Sequence, residues 1–395
     1  MNVPLLDLSL QHQKLEVELR EAFQRVLGHN QFILGPEVEF FEKEVAAFCR
    51  SRHAISCASG SDALLLALMA LGIGHGDEVI TSPYSFFATA SCIARVGARA
   101  VFADICPHCY NMDPTMVLQK VSPRTRAILP VHLYGQSADM APYLNGASEK
   151  KIHIVEDAAQ ALGAEYQGKP VGALGDIGCL SFFPTKNLGG LGDGGTLLTQ
   201  DDALAEKLRI LRVHGAKPKY EHNLLGVNSR LDTLQAAFLR VKLPHLSRWV
   251  EARQSNAALY IQMMVETHLA DPPIRQPHGG SSSVNEKGDK PLILPAICSS
   301  QHSYNQFVIQ TRNPAARDPL RKHLESTGVG TEIYYPIPLH LQKCFASWKY
   351  KKGDFPQSEM ASASTLALPI FPELTEPQLC YVVETLSSFN WDAYN

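Results

Sequence analysis

Asp157 and Lys186 are the two side chains in this sequence best placed to do chemistry together. Both lie in residues 152–196, IHIVEDAAQALGAEYQGKPVGALGDIGCLSFFPTKNLGGLGDGGT. The apolar run His153, Ile154, Val155 delivers Glu156 and Asp157 to the point where a parallel strand should stop, which is where open α/β sheets bind ligands. Cys179 to Phe183 read as a second short strand, and Pro184 turns the chain so that Lys186 projects from a loop. Asn187 and the glycines at 189, 190, 192, 194 and 195 keep the backbone around it thin. A lysine amine desolvated in such a pocket gives up its proton more easily and can condense with an aldehyde as a Schiff base. A carboxylate at a strand end can hold a pyridine nitrogen protonated, so that the ring accepts electrons. Together the two suit pyridoxal phosphate. The plainer alternatives are a buried Asp–Lys ion pair or two unrelated loop residues.

Other groups could complete such a site. AISCASGSDALLLALMAL reads as strand, tight turn and a helix starting near Ser61 or Asp62. Gly60 allows close backbone approach there, and the free N–H groups at Gly60 and Ser61, with the helix dipole, favour a phosphate; a capped helix with no ligand is the alternative. SPYSFFATASCIARVG leaves the strand EVITS and enters a helix, which puts Phe86 at the strand's end, where a lone Phe more often packs in a core. Asn228 and Arg230 lie on a polar loop just ahead of a helix, where capping chemistry would also explain them. Tyr304, Asn305, Tyr334, Tyr335 and His340 form a polar-aromatic concentration suited to a sugar and its phosphates. Two motifs are set aside. Gly72, Gly74 and Gly76 come after a helix and before a strand, the reverse of a dinucleotide fingerprint, which argues against a nicotinamide oxidoreductase. Cys106-Pro107-His108-Cys109 has no second CxxC or His pair to complete a tetrahedral metal site, and it follows a strand instead of opening a helix. No metal is expected.

The elements that must carry these residues follow from length and pattern. A chain of 395 residues exceeds the usual limit of a single core, so two domains are expected, divided at 1–245 and 246–395. Helical spacing covers 13–28 (Leu15, Val17, Leu19, Phe23) and 37–50 (Val38, Phe41, Val45, Phe48). Strands such as EVITS, ARAVFADI and RAILPVHLYG then alternate with helices, which implies an α/β large domain with a mostly parallel sheet covered on both faces. A helix from Trp249 to Val265 should link it to a smaller C-terminal α+β domain, and Pro, Gly, Ser and charge over about 275–291 mark a surface loop. Net charge of −3, from 36 basic and 39 acidic residues, leaves no footprint for nucleic acid or an anionic membrane. No stretch is apolar enough to span a bilayer, and the start lacks a signal peptide, so a cytoplasmic protein is expected. Nine cysteines fit reduced buried thiols.

VEDAAQALGA, SFFPTKNLGGLGDGG and NSRLDTLQAA, in that order, resemble the signature segments of the sugar-nucleotide aminotransferases of the DegT/StrS family, a branch of the fold-type I enzymes that use pyridoxal phosphate. The resemblance runs from LLDL near the start to YYPIPLHLQ. It implies that Asp157 is the partner of the pyridine nitrogen, Gln160 lies near the ring oxygen, Ser181 binds the phosphate and Lys186 carries the Schiff base. It further implies a phosphate at Gly60–Ser61, Phe86 stacked on the ring with Ser85 in the Thr slot of a T-F-x-A-T pattern, and a homodimer with shared active sites. In the family the loop with Asn228 and Arg230 crosses to the neighbouring subunit, its Asn on the phosphate and its Arg near substrate. Asn305, Tyr335 and His340 would face the substrate, although relatives often carry His at position 305. The implied reaction moves an amino group from L-glutamate to a 3-keto or 4-keto hexose linked to UDP or dTDP. The alternatives are a related sugar lyase or dehydratase, whose family members have His where this chain has Lys186, and a non-catalytic sugar-nucleotide-binding regulatory protein.

Overall fold

Seven strands form the main sheet: β1 (His53–Cys57), β2 (Glu78–Thr81), β3 (Arg99–Phe102), β4 (Thr125–Leu129), β5 (His153–Asp157) and, after the short hairpin β6 (Glu165–Tyr166) and β7 (Lys169–Pro170), β8 (Ile177–Ser181) and β9 (Gly195–Thr199). Their order across the sheet is β1-β9-β8-β5-β4-β2-β3. Pairings from β3 through β8 are parallel, while β9 runs antiparallel to both β8 and β1. The reversal has a local cause, because β8 and β9 are joined by residues 182–194 with no crossover helix, and the chain doubles back to pair antiparallel. Lys186 sits on that link. The computed structural model describes residues 1–275, 288–298 and 301–394. The surface loop expected over 275–291 falls mostly outside them.

Both faces of the sheet are covered, and alternation along each strand sorts side chains between two cores. Ala54, Ile154 and Leu198 join one core with helices Glu16–His29, Pro36–Phe48 and Thr233–Lys242; Ile55, Val155 and Leu197 join the other with helices Gly60–Ala70 and Asp202–Leu211. The same alternation sends Glu156 to the first face and Asp157 to the second. In the helix Glu16–His29 the buried stripe is Leu19, Ala22 and Val26, whereas Val17 and Phe23 point outward. The spacing located the helix but mixed its two faces.

A third core surrounds the antiparallel sheet of β10 (Leu292–Ile293), β11 (Phe307–Thr311) and β12 (Thr365–Leu368), with helices Arg317–Ser326 and Glu376–Ser387. The helix Leu246–Glu266 spans the cores, with Trp249 and Val250 in the first and Tyr260 and Met264 in the third. The chain's start also reaches this third core, since Val3 is buried in it and pairs with Val329. Buried tyrosines close the seam, where the Tyr84 hydroxyl donates to the Tyr334 carbonyl at 2.6 Å and lies 2.9 Å from the Thr365 hydroxyl on β12. Among the described residues no helix is long and apolar enough to cross a membrane.

Candidate active site

Asp157 ends β5, and its main chain is locked to the neighbouring segment by hydrogen bonds from its N–H to the Pro130 carbonyl (2.9 Å) and from the His132 N–H to its own carbonyl (3.0 Å). The carboxylate is buried and receives the Thr89 hydroxyl on Oδ2 at 2.7 Å, with the Ala159 N–H 3.3 Å from Oδ1. Burial pushes its pKa up, against the opposing pull of the Thr89 and Ala159 hydrogen bonds and of the charge on Lys186. Glu156, one residue earlier, does different work on the opposite face. It is fully buried and accepts from the N–H groups of Gly172, Leu174 and Gly175 and from His132 Nε2, so it clasps the loop before β8. The Ala138 N–H donates to His132 Nδ1 at 3.0 Å, which leaves the ring proton on Nε2, facing Glu156.

Lys186 rides a tight turn, its N–H bonded to the Phe183 carbonyl at 2.8 Å. A Cβ on Gly189 would lie 2.1 Å from the Pro184 carbonyl oxygen, so this turn closes only with glycine there. Burial lowers the Lys186 pKa to about 8, and the charge of Asp157 partly offsets that shift. An amine in that range is available as a nucleophile and as a base near neutral pH. The next residue, Asn187, reaches across to donate to the Ser303 carbonyl at 2.9 Å. Through it the segment carrying Asn305 is brought to the lysine loop; the Asn305 side chain is buried with its Oδ1 unpartnered among the described residues.

A candidate anion cradle lies at the start of helix Gly60–Ala70. Ser59 is the N-cap of helix Gly60–Ala70, its hydroxyl accepting from the Asp62 N–H at 3.1 Å, so the helix starts one residue earlier than expected. Gly60 and Ser61 hold the first two helical positions, whose N–H groups have no acceptor within the helix. Ser181 stands directly against this terminus, because a Cβ on Gly60 would come within 2.6 Å of Ser181 Cβ. From the other side a Cβ on Gly195 would come within 2.4 Å of the Ser59 carbonyl carbon. Two glycines thus let the helix end, Ser181 and β9 approach closely enough to surround a phosphate.

The remaining candidates are placed unevenly. Gln160 is anchored by the Tyr134 N–H on its Oε1 (2.7 Å) and donates through Nε2 to the Tyr335 hydroxyl (2.8 Å), joining two expected site residues. Phe86 is 54% exposed, its ring centroid 6.0 Å from that of Tyr335. Asn228 and Arg230 do not cap the following helix, whose N-cap is Asp232; they line a cleft of about 550 Å³ with Ser59, Asp193 and Gln235. His340 pairs through Nε2 with Glu359 at 3.1 Å and packs its ring edge-on against Phe355, its Nδ1 unpartnered among the described residues. Thr89 and Ser59 were not singled out in the sequence. Thr89 could have been, since it ends the same SFFAT segment and lies four residues after Ser85, one helical turn away. Among the described residues no group of three or more His, Cys, Asp or Glu side chains is arranged to hold a metal.

The lysine of lowered pKa, the carboxylate facing it and the glycine-walled cradle fit pyridoxal phosphate, the cofactor of this fold's aminotransferases. Comparisons with known proteins agree with that chemistry. The chain is 47% identical over 389 residues to a Geobacillus stearothermophilus protein named "Pleiotropic regulatory protein", covering 98% of this chain and 99% of that one. It is 40% identical to the dTDP-3-amino-3,4,6-trideoxy-alpha-D-glucose transaminase of Streptomyces venezuelae, covering 97% of this chain and 95% of that one. The crystal structure of S. venezuelae DesV in complex with a ketimine intermediate superposes with a TM-score of 0.89 at 39% identity, over 98% of both chains. The model of the DegT/DnrJ/EryC1/StrS aminotransferase family matches residues 13–387, and the chain belongs to that family.

Proposed function

We propose that this protein transfers the amino group of L-glutamate to the keto carbon of a nucleotide-linked hexose, with Lys186 as the catalytic amine. The observation that carries the reading is Lys186 itself: its pKa is lowered to about 8 by burial, it faces Asp157, and it sits on the one loop that joins β8 to β9 beside the anion cradle. When bound, pyridoxal phosphate supplies the electron sink. The chain's residues do the rest. Ser181 and the N–H groups of Gly60 and Ser61 take the phosphate. Asp157 would hold the proton of the ring nitrogen, Gln160 would serve the ring oxygen and Phe86 would offer its ring to the cofactor's face. Lys186 would hold the cofactor through its amine and, as a free base, would take the proton from the substrate carbon. Arg230 offers a planar fork for the donor's carboxylate or a nucleotide phosphate.

A homodimer with shared sites belongs to the same reading. Tyr220 and Leu225, on the loop before Asn228, are 80% and 93% exposed, a solvation cost that a second copy of the chain would remove. The parts working around this site divide near residue 245, and cytoplasmic localisation suits a nucleotide-sugar substrate. The resemblance to relatives acting at C3 makes a 3-keto sugar the first to test. The decisive assay incubates the reconstituted protein with glutamate and a panel of UDP- and dTDP-linked 3-keto and 4-keto sugars, following amino-sugar formation by mass spectrometry. Amination of none of them overturns the reading. A second reading, a regulatory sugar-nucleotide binder, is favoured by the name of the relative at 47% identity. It would be supported by sugar-nucleotide binding without turnover in the same assay.

A further inference from the structure

The Asp157 carboxylate has one side-chain hydrogen-bond donor among the described residues, and it is Thr89. Strand alternation turns Asp157 toward the face covered by helix Ala88–Arg95, and Thr89 lies in the first turn of that helix, fully buried. Its hydroxyl has a single hydrogen, and the 2.7 Å contact to an ionised Oδ2 uses it. The Thr89 oxygen must therefore accept at its 2.8 Å contact with Ser85, which makes Ser85 the donor there. The polar chain runs in one direction, from Ser85 to Thr89 to Asp157. The other titratable groups that face Asp157 are Lys186 on the lysine loop, His132 after β4, the thiols of Cys92 and Cys179, and the Tyr335 phenol. Burial pushes both thiols and the phenol up, so they stay neutral at ordinary pH.

We propose that Thr89 is a positioning residue for the cofactor's ring nitrogen: by occupying Oδ2 it holds the Asp157 carboxylate ionised and fixed in rotation, with acceptor capacity left for the pyridine N–H. This rests on the assignment of Asp157 as the partner of the ring nitrogen. A proton shared between a carboxylate and a pyridine goes to the stronger base. A hydroxyl donated to the carboxylate weakens it as a base and leaves the proton on nitrogen. Ser85 strengthens the effect by polarising the Thr89 hydroxyl.

The test reconstitutes the full chain with pyridoxal phosphate labelled with nitrogen-15 in the ring and records the nitrogen NMR shift at about pH 8, where protonated and unprotonated pyridine differ widely. Wild type should give the protonated shift, and Asp157→Asn the unprotonated one. Thr89→Val, of equal shape without the hydroxyl, should move the resonance toward the unprotonated value, reflecting an approximately tenfold change in how the proton is shared. Thr89→Ser should restore it, and Ser85→Ala should shift it less, in the same direction. A Thr89→Val spectrum equal to wild type, with Asp157→Asn unprotonated, overturns the proposal. If Asp157→Asn also matches wild type, the assignment of Asp157 fails instead. If Thr89→Val does not retain the cofactor, Ser85→Ala decides: an unshifted resonance overturns the proposal.

Discussion

Gly60→Ala is the sharpest test of the anion cradle, because the structure states what one added methyl would strike. Its Cβ would stand 2.6 Å from Ser181 Cβ, 3.0 Å from Ser181 Oγ and 3.2 Å from Ser181 Cα. Ordinary contact between carbons needs about 3.5–4.0 Å, so Ser181 and the helix end must separate by about 1 Å. Alanine is a better helix former than glycine by about 1 kcal/mol, which offsets part of an overpacking cost of about 1–3 kcal/mol. The fold should therefore hold, and the loss should appear in ligand binding. A charge-assisted hydrogen bond contributes about 1.5–3 kcal/mol, so losing one of the phosphate donors should weaken pyridoxal phosphate binding by about 10- to 150-fold. Equilibrium titration of the cofactor-free protein, followed by absorbance, measures this directly. Pyridoxal without its phosphate should bind both proteins alike, and Ser61→Ala, which keeps the amide, should bind pyridoxal phosphate within a few-fold of wild type. Wild-type affinity in Gly60→Ala, or an equal loss for pyridoxal, would refute a phosphate at this helix end.

The other expectations concern lysines, pH and thiols. Borohydride reduction of the loaded protein followed by peptide mapping should place the pyridoxyl mass on Lys186 and not on Lys242, although burial lowers both amines to about 8; a label on Lys242 would sink the assignment. The rate of covalent cofactor attachment should rise with pH around 8, where Lys186 loses its proton, and not near the 10.5 of an ordinary lysine amine. In Asp157→Asn the midpoint should move lower, since the charge that raises the Lys186 pKa is gone; a midpoint that moves up contradicts the pairing. Replacing Cys106 and Cys109 together by Ser should leave turnover within a few-fold of wild type. The Cys106 thiol is pushed up by the hydrogen bond it donates to Cys109 and by burial, which disfavours the reactive thiolate; loss of bound zinc together with activity would reverse this expectation.

Much of the site was legible because its parts are local in sequence. Asp157 at a strand end, Lys186 on a glycine-rich loop and the Gly60–Ser61 helix start each leave a short pattern that physics constrains. What pattern cannot carry is contact between distant segments. The Ser181 role was implied by resemblance, but its fit against Gly60 depends on β8 and helix Gly60–Ala70 meeting across more than a hundred residues. His340 shows the same limit: the aromatic stretch marked it as polar, but its Nε2 contact with Glu359 and its ring contact with Phe355, nineteen and fifteen residues on, left no local pattern. The antiparallel β9 was likewise hidden, since whether a link crosses over or doubles back depends on its having no helix.

Two pairs of like residues show what separates the groups proposed as catalytic from structural ones in this chain. Glu156 and Asp157 are adjacent, buried carboxylates. Three backbone N–H groups and His132 surround Glu156, while Asp157 has one hydroxyl and one long amide contact and so keeps acceptor capacity for a ligand. Lys186 and Lys242 are both desolvated amines near pKa 8, and on acidity alone either could attack an aldehyde. The Lys242 side chain is fully buried, its Nζ donating to the Gly189 carbonyl and lying 3.4 Å from His12 Nε2, where no aldehyde can reach it. Lys186 instead faces Asp157 and remains partly open. Desolvation activates both lysines; reach selects one. Lys242, bonded to the turn that carries Lys186, works for its counterpart by holding that turn in place.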